Sequence, residues 1–350
     1  MEKALIAMSG GVDSAVAALL TQRQGYACVG CTMRLYDGPE ESTCCSLEDV
    51  EDARAVARRL EMPFHVFNFT DGFRRQVMEP FAESYRRGMT PNPCIECNRA
   101  MKFGALLRRA EELGCRFLVT GHYARIEFDG ERYHLKKAAD PDKDQTYVLY
   151  MLTQDQLSRL RFPLGEMTKA RTRRLAEENG FVNADKPDSQ DICFAPDGDY
   201  AAVIERLTGE ALTPGNFVDR EGRVLGPHKG LERYTVGQRR GLGIALGEPA
   251  YVLALRPEDG SVVLGPDEAL YARSVRVSAF HWIAGRAPES PIRAKAKIRY
   301  RHREKECTVT PLPDGGALLE FDEPQRAATP GQSAVVYDGD EVLGGGVIVS

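Results

Sequence analysis

A parallel-sheet α/β domain followed by two smaller β-rich units is the fold class that three features of the 350-residue sequence predict. Strand-like and helix-like segments alternate through the first half, and most of the strand-like ones are apolar enough to be buried on both faces. After about residue 205 glycine and proline become dense and short alternating stretches replace long helical ones. From residue 274 onward the pattern is nearly all β. The expected division is an α/β domain over 1–205, a small central mostly-β domain over 206–272 and a C-terminal β-barrel-like domain over 273–350.

Residues 4–9 form the first apolar run, broken by Gly10-Gly11 and followed by a helical pattern over 14–23. Residues 27–33 read as a second strand, and 47–60 as an amphipathic helix capped by Ser46. A third strand spans 65–69, a helix 71–87, a further helix 101–113 ending at Gly114, and a strand 117–120. Later, 251–255 and 262–264 read as a hairpin pair. Six short strands then follow at 275–280, 293–300, 307–311, 317–321, 333–337 and 346–349, which suggests a small sandwich or barrel.

No run of 18 apolar residues occurs, so a membrane helix is not expected. The five apolar residues 4–8 are too short for a secretory signal, which makes the cytoplasm the expected location. Nine cysteines in such a chain should be thiols, metal ligands or redox catalysts rather than a disulfide framework. A net charge of −5 excludes a uniformly basic nucleic-acid coat but leaves room for a local basic surface.

Met8-Ser9-Gly10-Gly11-Val12-Asp13-Ser14 lies between a strand and a helix. Two glycines let the backbone turn tightly and bring N–H groups to an anion, and the helix N-terminus favours phosphate. No lysine follows the glycines, so this is not the Walker A form. Asp13 is a plausible Mg²⁺ carboxylate, with a helix-capping role as the competing reading.

The cysteines divide by context. Cys28 and Cys31 fall three apart in a strand, so they face opposite sides and cannot chelate one ion; with Cys115 and Cys307 they read as small buried hydrophobes. Cys44 and Cys45 stay unassigned. Cys94-Ile95-Glu96-Cys97 follows Pro91-Asn92-Pro93, a stiff extended lead-in, and precedes a helix expected to start at about 99–101. A thiolate near a helix N-terminus, with Arg99 and Lys102 close by, is activated.

Arg293, Lys295, Lys297, Arg299, Arg301 and Arg303 alternate with other residues, so on one strand all six cations share a face. Residues 286–305 hold eight basic residues against two acidic ones. Like charges so aligned repel unless a polyanion is present, and RNA phosphate is the natural partner, with Tyr300 available for stacking. His228-Lys229, Arg233 and Arg239-Arg240 form a second basic segment.

The Ser-Gly-Gly-x-Asp-Ser loop resembles that of the ATP pyrophosphatase superfamily, which implies an adenine nucleotide alpha hydrolase-like fold and ATP cleavage between the α and β phosphates. Further segments resemble the bacterial tRNA-specific 2-thiouridylase family: Thr90-Pro91-Asn92-Pro93, Cys97-Asn98, Lys102-Phe103, Thr120-Gly121-His122-Tyr123, Lys143-Asp144-Gln145, Asp188-Ser189, Ile192-Cys193-Phe194, Gly237-Gln238-Arg239, Gly241-Leu242-Gly243, Arg299-Tyr300-Arg301 and Pro330-Gly331-Gln332. The resemblance runs the length of the chain. It implies a cytoplasmic enzyme that uses ATP and Mg²⁺ to convert the wobble uridine of tRNA to 2-thiouridine, with sulfur from a persulfide donor protein or sulfide.

By the same resemblance Cys97 is the nucleophile and Cys193 the persulfide carrier. Ala7, Met8, Ser9, Gly10, Gly11, Val12, Asp13, Ser14 and Gly121 would cradle ATP, with Met33 on the adenine edge. Asn92, Pro93, Cys94, His122, Lys143, Asp144, Gln145, Arg299, Tyr300 and Gln332 would contact the base and tRNA, although His122 also reads as a buried structural histidine. The family pattern has Asp where this chain has Cys94, so an acid/base role there does not carry over. Cys94, Cys97 and Cys193 offer an alternative: three ligands of a [4Fe–4S] cluster, as in related thiolases. Two rival functions stand beside this one, another pyrophosphatase-loop ligase acting on a small substrate and a non-catalytic RNA-binding iron–sulfur protein.

Overall fold

The computed structural model describes residues 1–36, 47–187 and 192–349. Cys44, Cys45, the predicted cap Ser46, Asp188 and Ser189 lie outside the described residues.

Five parallel strands form the first sheet, in the order Phe64–Asn68, Ala27–Arg34, Lys3–Ala7, Phe117–Val119 and Leu160–Arg161. Alternate residues of the central strand enter separate cores: Leu5 packs on one face, Ala4 and Ile6 on the other. Strand order reverses beside Lys3–Ala7, and such a switch point opens a crevice at the carboxyl ends of the strands. Residues 8–11 and 120–122 both leave the sheet at that crevice.

Cys28 packs in one of these cores and Cys31 in the other, as their spacing on Ala27–Arg34 requires. Burial pushes the Cys28 thiol up to about 11, and the Cys31 and Cys115 thiols also rise through burial. Cys307 lies inside the C-terminal barrel, pushed up to about 12. These four are inert packing residues.

One helix starts earlier than expected. Asn92 Oδ1 accepts a hydrogen bond from Cys94 N at 3.1 Å and Pro93 takes the first helical position, so the helical rod runs from Pro93 to Glu112, with a wide π-helical stretch over Cys97–Leu106. Asn as cap and Pro at the first position are a start signal. Cys94 therefore occupies the first turn and Cys97 the second.

A four-stranded sheet in the order Tyr251–Arg256, Ser261–Gly265, Gly215–Val218 and Val224–His228 forms the middle of the chain. The last six strands close on themselves: Tyr271–Trp282 pairs with both Ala317–Arg326 and Glu341–Ile348. Val275, Val277, Ala294, Ala296, Val309, Leu319 and Val336 fill the barrel. An unforeseen hairpin, Arg125–Phe128 with Tyr133–Lys136, extends this sheet through the pairing of Glu341 with Lys136. Among the described residues no helix is long and apolar enough to cross a membrane.

The strand expected over 293–300 ends at Lys297, and the six-cation face is not formed. Lys295 sits in register with Glu306 and pairs with it at 3.3 Å. Arg293 pairs with Asp322 at 2.7 Å, and Lys297 lies 3.8 Å from both Asp144 and Glu304. Glu306, Asp322, Asp144 and Glu304 thus supply the counter-charge that the sequence argument assigned to a polyanion. Only Arg301 and Arg303 of the six are exposed beyond the strand. His228 leaves the second basic segment too: it is buried beside Phe217 and Tyr234, bonds Gly260 O at 3.0 Å, and burial lowers its pKa.

Candidate active site

The first strand ends at Ala7, and Gly11 serves as the extended N-cap of the helix Val12–Arg23. Between them Ser14 ties the turn together, accepting from Ser9 N at 3.1 Å and donating to Gly11 O at 2.9 Å. Met8 N donates to Cys31 O, and Met8 and Val12 are buried, so both ends of the loop are fixed. Gly10 has φ +78°, and a Cβ there would lie 2.5 Å from Asp49 O. A Cβ on Gly121 would lie 2.8 Å from both Asp13 C and Ser14 N, so the 120–122 segment rests directly on the helix start. Gly11 differs: a Cβ there meets only Ser9 Oγ, at 3.6 Å, and faces open space. The result is a rigid turn whose exposed side presents backbone N–H groups at a helix N-terminus.

Asp13 makes no capping bond. Its carboxylate accepts from Lys169 Nζ at 2.7 and 2.8 Å and from Tyr123 Oη at 2.9 Å. Neither the Mg²⁺ role nor the capping role is therefore what its contacts describe. Lys169 escaped the sequence reading. It opens the helix Lys169–Glu178 behind its cap Thr168, the end of a helix where a cation is electrostatically disfavoured. A lysine misplaced against the dipole was the signal that an anion lies opposite.

Cys97 is buried in a cluster with Phe73, Phe81, Met101 and Phe194, and Cys193 and Met33 pack against that same cluster. The two thiols thus meet one apolar body although 96 positions separate them. Cys94 is exposed. Among the described residues no group of three or more Cys, His, Asp or Glu side chains is arranged to hold a metal ion.

Arg99 is engaged by Glu96 at 2.5 Å, and Lys102 Nζ lies 3.4 Å from His122 Nε2. His122 is buried between Phe103 and Phe162 and bonds Thr120 Oγ1 through Nδ1 at 2.6 Å. Burial, with Lys102 adding, holds its pKa well below the usual value, so it is neutral. Its contacts are those of the structural histidine.

The barrel meets the thiol-bearing rod at one seam. Thr90 N donates to Pro330 O at 2.8 Å, and Gln332 Nε2 donates to Thr90 O at 2.8 Å, two residues before Asn92. Tyr300 is exposed, its Oη 3.5 Å from Asp144 O; burial of part of the ring, then Asp144 and Cys94 nearby, raise its pKa. The Asp144 carboxylate is spent on Ala138 N and Thr146, and Gln145 Oε1 accepts from Tyr123 N at 2.9 Å. Lys143 precedes them in the same turn, its N–H donating to Asp140 O. Arg299 turns inward: Nη2 donates to Val236 O, Ala327 O and Thr329 Oγ1, tying the middle sheet's segment to the barrel. It is a strut beneath Tyr300 rather than part of a basic face.

Sequence comparison gives three consecutive matches: "tRNA methyl transferase HUP domain" over residues 2–197, "tRNA methyl transferase PRC-barrel domain" over 202–266 and "Aminomethyltransferase beta-barrel domain" over 272–348. A tRNA-specific 2-thiouridylase from Acetivibrio thermocellus is 47% identical across 99% of both chains. One from Geotalea uraniireducens is 49% identical, covering 99% of this chain and 95% of its own. The chain belongs to the tRNA-specific 2-thiouridylase family. Another family member, from Magnetococcus marinus, is 48% identical across 99% of both chains. Among solved structures, a 4-thiouridine synthetase–RNA complex with bound ATP aligns at TM-score 0.40 and 20% identity, over 59% of this chain and 50% of that one.

Proposed function

We propose that the chain is an ATP-dependent tRNA uridine 2-sulfurtransferase acting on the wobble uridine in the cytoplasm. One observation carries the reading: Met33, a strand away from the phosphate loop, packs against the cluster that contains Cys97 and borders Cys193. On this reading nucleotide and sulfur chemistry meet at that one cluster. In domain terms, 1–205 is catalytic, 206–272 connects and 273–350 binds RNA.

ATP lies with its phosphates on residues 7–14, its adenine at Met33 and Gly121, and Mg²⁺ arrives with the nucleotide. The uridine flips from the anticodon stack because its C2 carbonyl is unreachable there. The carbonyl oxygen attacks the α-phosphorus; the new O–P bond forms as pyrophosphate leaves. The terminal sulfur of a Cys193 persulfide attacks C2, and AMP departs with the C–O bonding electrons. Cys97 thiolate attacks the Cys193 sulfur, releasing 2-thiouridine and leaving a Cys97–Cys193 disulfide. A dithiol reduces this bond before a persulfide donor protein reloads Cys193; alternatively, sulfide opens it directly to regenerate the persulfide and the Cys97 thiol. The persulfide route is preferred to the cluster because no group of three metal-ligating side chains is formed among the described residues.

Cys94, Lys143, Tyr300, Arg301 and Arg303 form the proposed tRNA-facing layer. Asn92, Pro93, His122, Asp144, Gln145, Arg299 and Gln332 support it from behind through the bonds described above. Incubating the protein with tRNA, ATP and a sulfur donor should yield AMP and 2-thiouridine in equal amounts. Thiolation without ATP, or AMP without thiolation, would overturn the proposal.

A further inference from the structure

Asn183 lies outside every motif of the sequence, yet it reaches the centre of the phosphate loop. Its side chain is 3% exposed, and Nδ2 donates to Gly10 O at 2.8 Å. Its Oδ1 is also buried and has no hydrogen-bond partner among the described residues. A half-satisfied amide kept in the interior is costly, so the bond that it does make calls for an explanation.

The peptide between Gly10 and Gly11 supplies one. A trans peptide is planar, with C=O and N–H on opposite edges. When Asn183 draws Gly10 C=O to the back of the loop, Gly11 N–H is turned to the front. That N–H makes no hydrogen bond among the described residues, and the space beside Gly11 Cα is open. Glycine at position 10 could accept either orientation, so something outside the loop has to choose.

We infer that Asn183 is a positioning residue that holds the Gly10–Gly11 peptide with its N–H facing the nucleotide's phosphates. Lys186 anchors the same turn, bonding Asp49 at 2.8 Å and Asp52 at 2.6 Å, and Asp49 is the residue against which Gly10 packs. The turn 183–186 is thereby clamped to the back of the loop at two points.

This inference rests on the ATP reading, and the test separates the two. Affinities for ATP, pyrophosphate and adenosine are measured on the full chain by equilibrium titration for the wild type, Asn183→Ala and Asn183→Asp. Losing one N–H bond to a charged phosphate weakens binding by about 10- to 100-fold. ATP and pyrophosphate affinity should fall by that factor in both variants, more in Asn183→Asp, whose carboxylate repels Gly10 O. Adenosine affinity should stay within about twofold, because adenosine lacks the phosphates that this N–H would meet. Equal loss for adenosine and ATP would mean that Asn183 merely supports the fold, and wild-type ATP affinity in both variants would refute the inference while leaving the ATP reading intact. A wild type that binds neither ATP nor pyrophosphate would remove both.

Discussion

Substituting Gly11 by Ala separates stability from nucleotide binding in one step. Gly11 has φ −87° and ψ 160°, a conformation that alanine adopts without strain, and the added Cβ meets only Ser9 Oγ at 3.6 Å. Removing a glycine at such a position restricts the unfolded chain and stabilises by about 0.4–1 kcal/mol, which for an α/β domain of this size raises Tm by about 1–4 °C. The same methyl group occupies the space through which a phosphate oxygen must approach the N–H groups of the turn. One charge-assisted hydrogen bond lost costs about 1.5–3 kcal/mol, or roughly 10- to 100-fold in ATP affinity. Gly121→Ala is the counterpart, because its Cβ would lie 2.8 Å from two backbone atoms of the helix start. Overpacking against backbone should cost about 1–3 kcal/mol of stability as well as affinity. Differential scanning calorimetry and ATP titration on the two variants check this. A Gly11→Ala protein that is more stable and still binds ATP like the wild type would refute the claim that this face of the loop receives phosphate.

Cys193→Ser should abolish thiolation while ATP affinity stays within about twofold, since the hydroxyl cannot carry a persulfide; undiminished 2-thiouridine by nucleoside mass spectrometry would remove Cys193 from the reaction. Arg299→Met deletes the bonds to Val236 O, Ala327 O and Thr329 Oγ1 and should cost about 3 kcal/mol by denaturant unfolding. Its tRNA affinity, measured below the transition, should change less than that of Tyr300→Ala; the reverse order would restore Arg299 as an RNA contact. His134 bridges Asp129 and Glu341 at 2.8 Å each; burial opposes its charge, but these two bonds outweigh burial and Arg132 and raise its pKa above 6.5. A raised folded pKa stabilises fully below the unfolded value and less as pH climbs through the folded one. The Tm difference between wild type and His134→Gln should therefore shrink as pH rises above 6.5, and a difference independent of pH would contradict the assignment.

The parallel sheet was legible because its strands carry their own apolar runs, and the barrel because its strands alternate at period 2. Cys28 and Cys31 were placed correctly on opposite faces by spacing alone. The hairpin Arg125–Phe128 and Tyr133–Lys136 was missed because polar residues dominate it; its stability comes from pairing with Glu341 at the far end of the chain. The helix start at Pro93 carries its signal in Asn92-Pro93, but proline suits an extended lead-in and a first helical turn alike, so the local sequence does not choose between them.

Local order and glycine placement follow from the sequence by itself, because backbone sterics and side-chain periodicity act over a few residues. The partners of charged groups do not follow. Lys169 with Asp13, Asn183 with Gly10 and Arg299 with Val236 join positions 156, 173 and 63 apart. Only the tertiary structure decided these, because an ion pair or buried hydrogen bond depends on which surfaces packing brings within about 3 Å, and no local pattern encodes that distance.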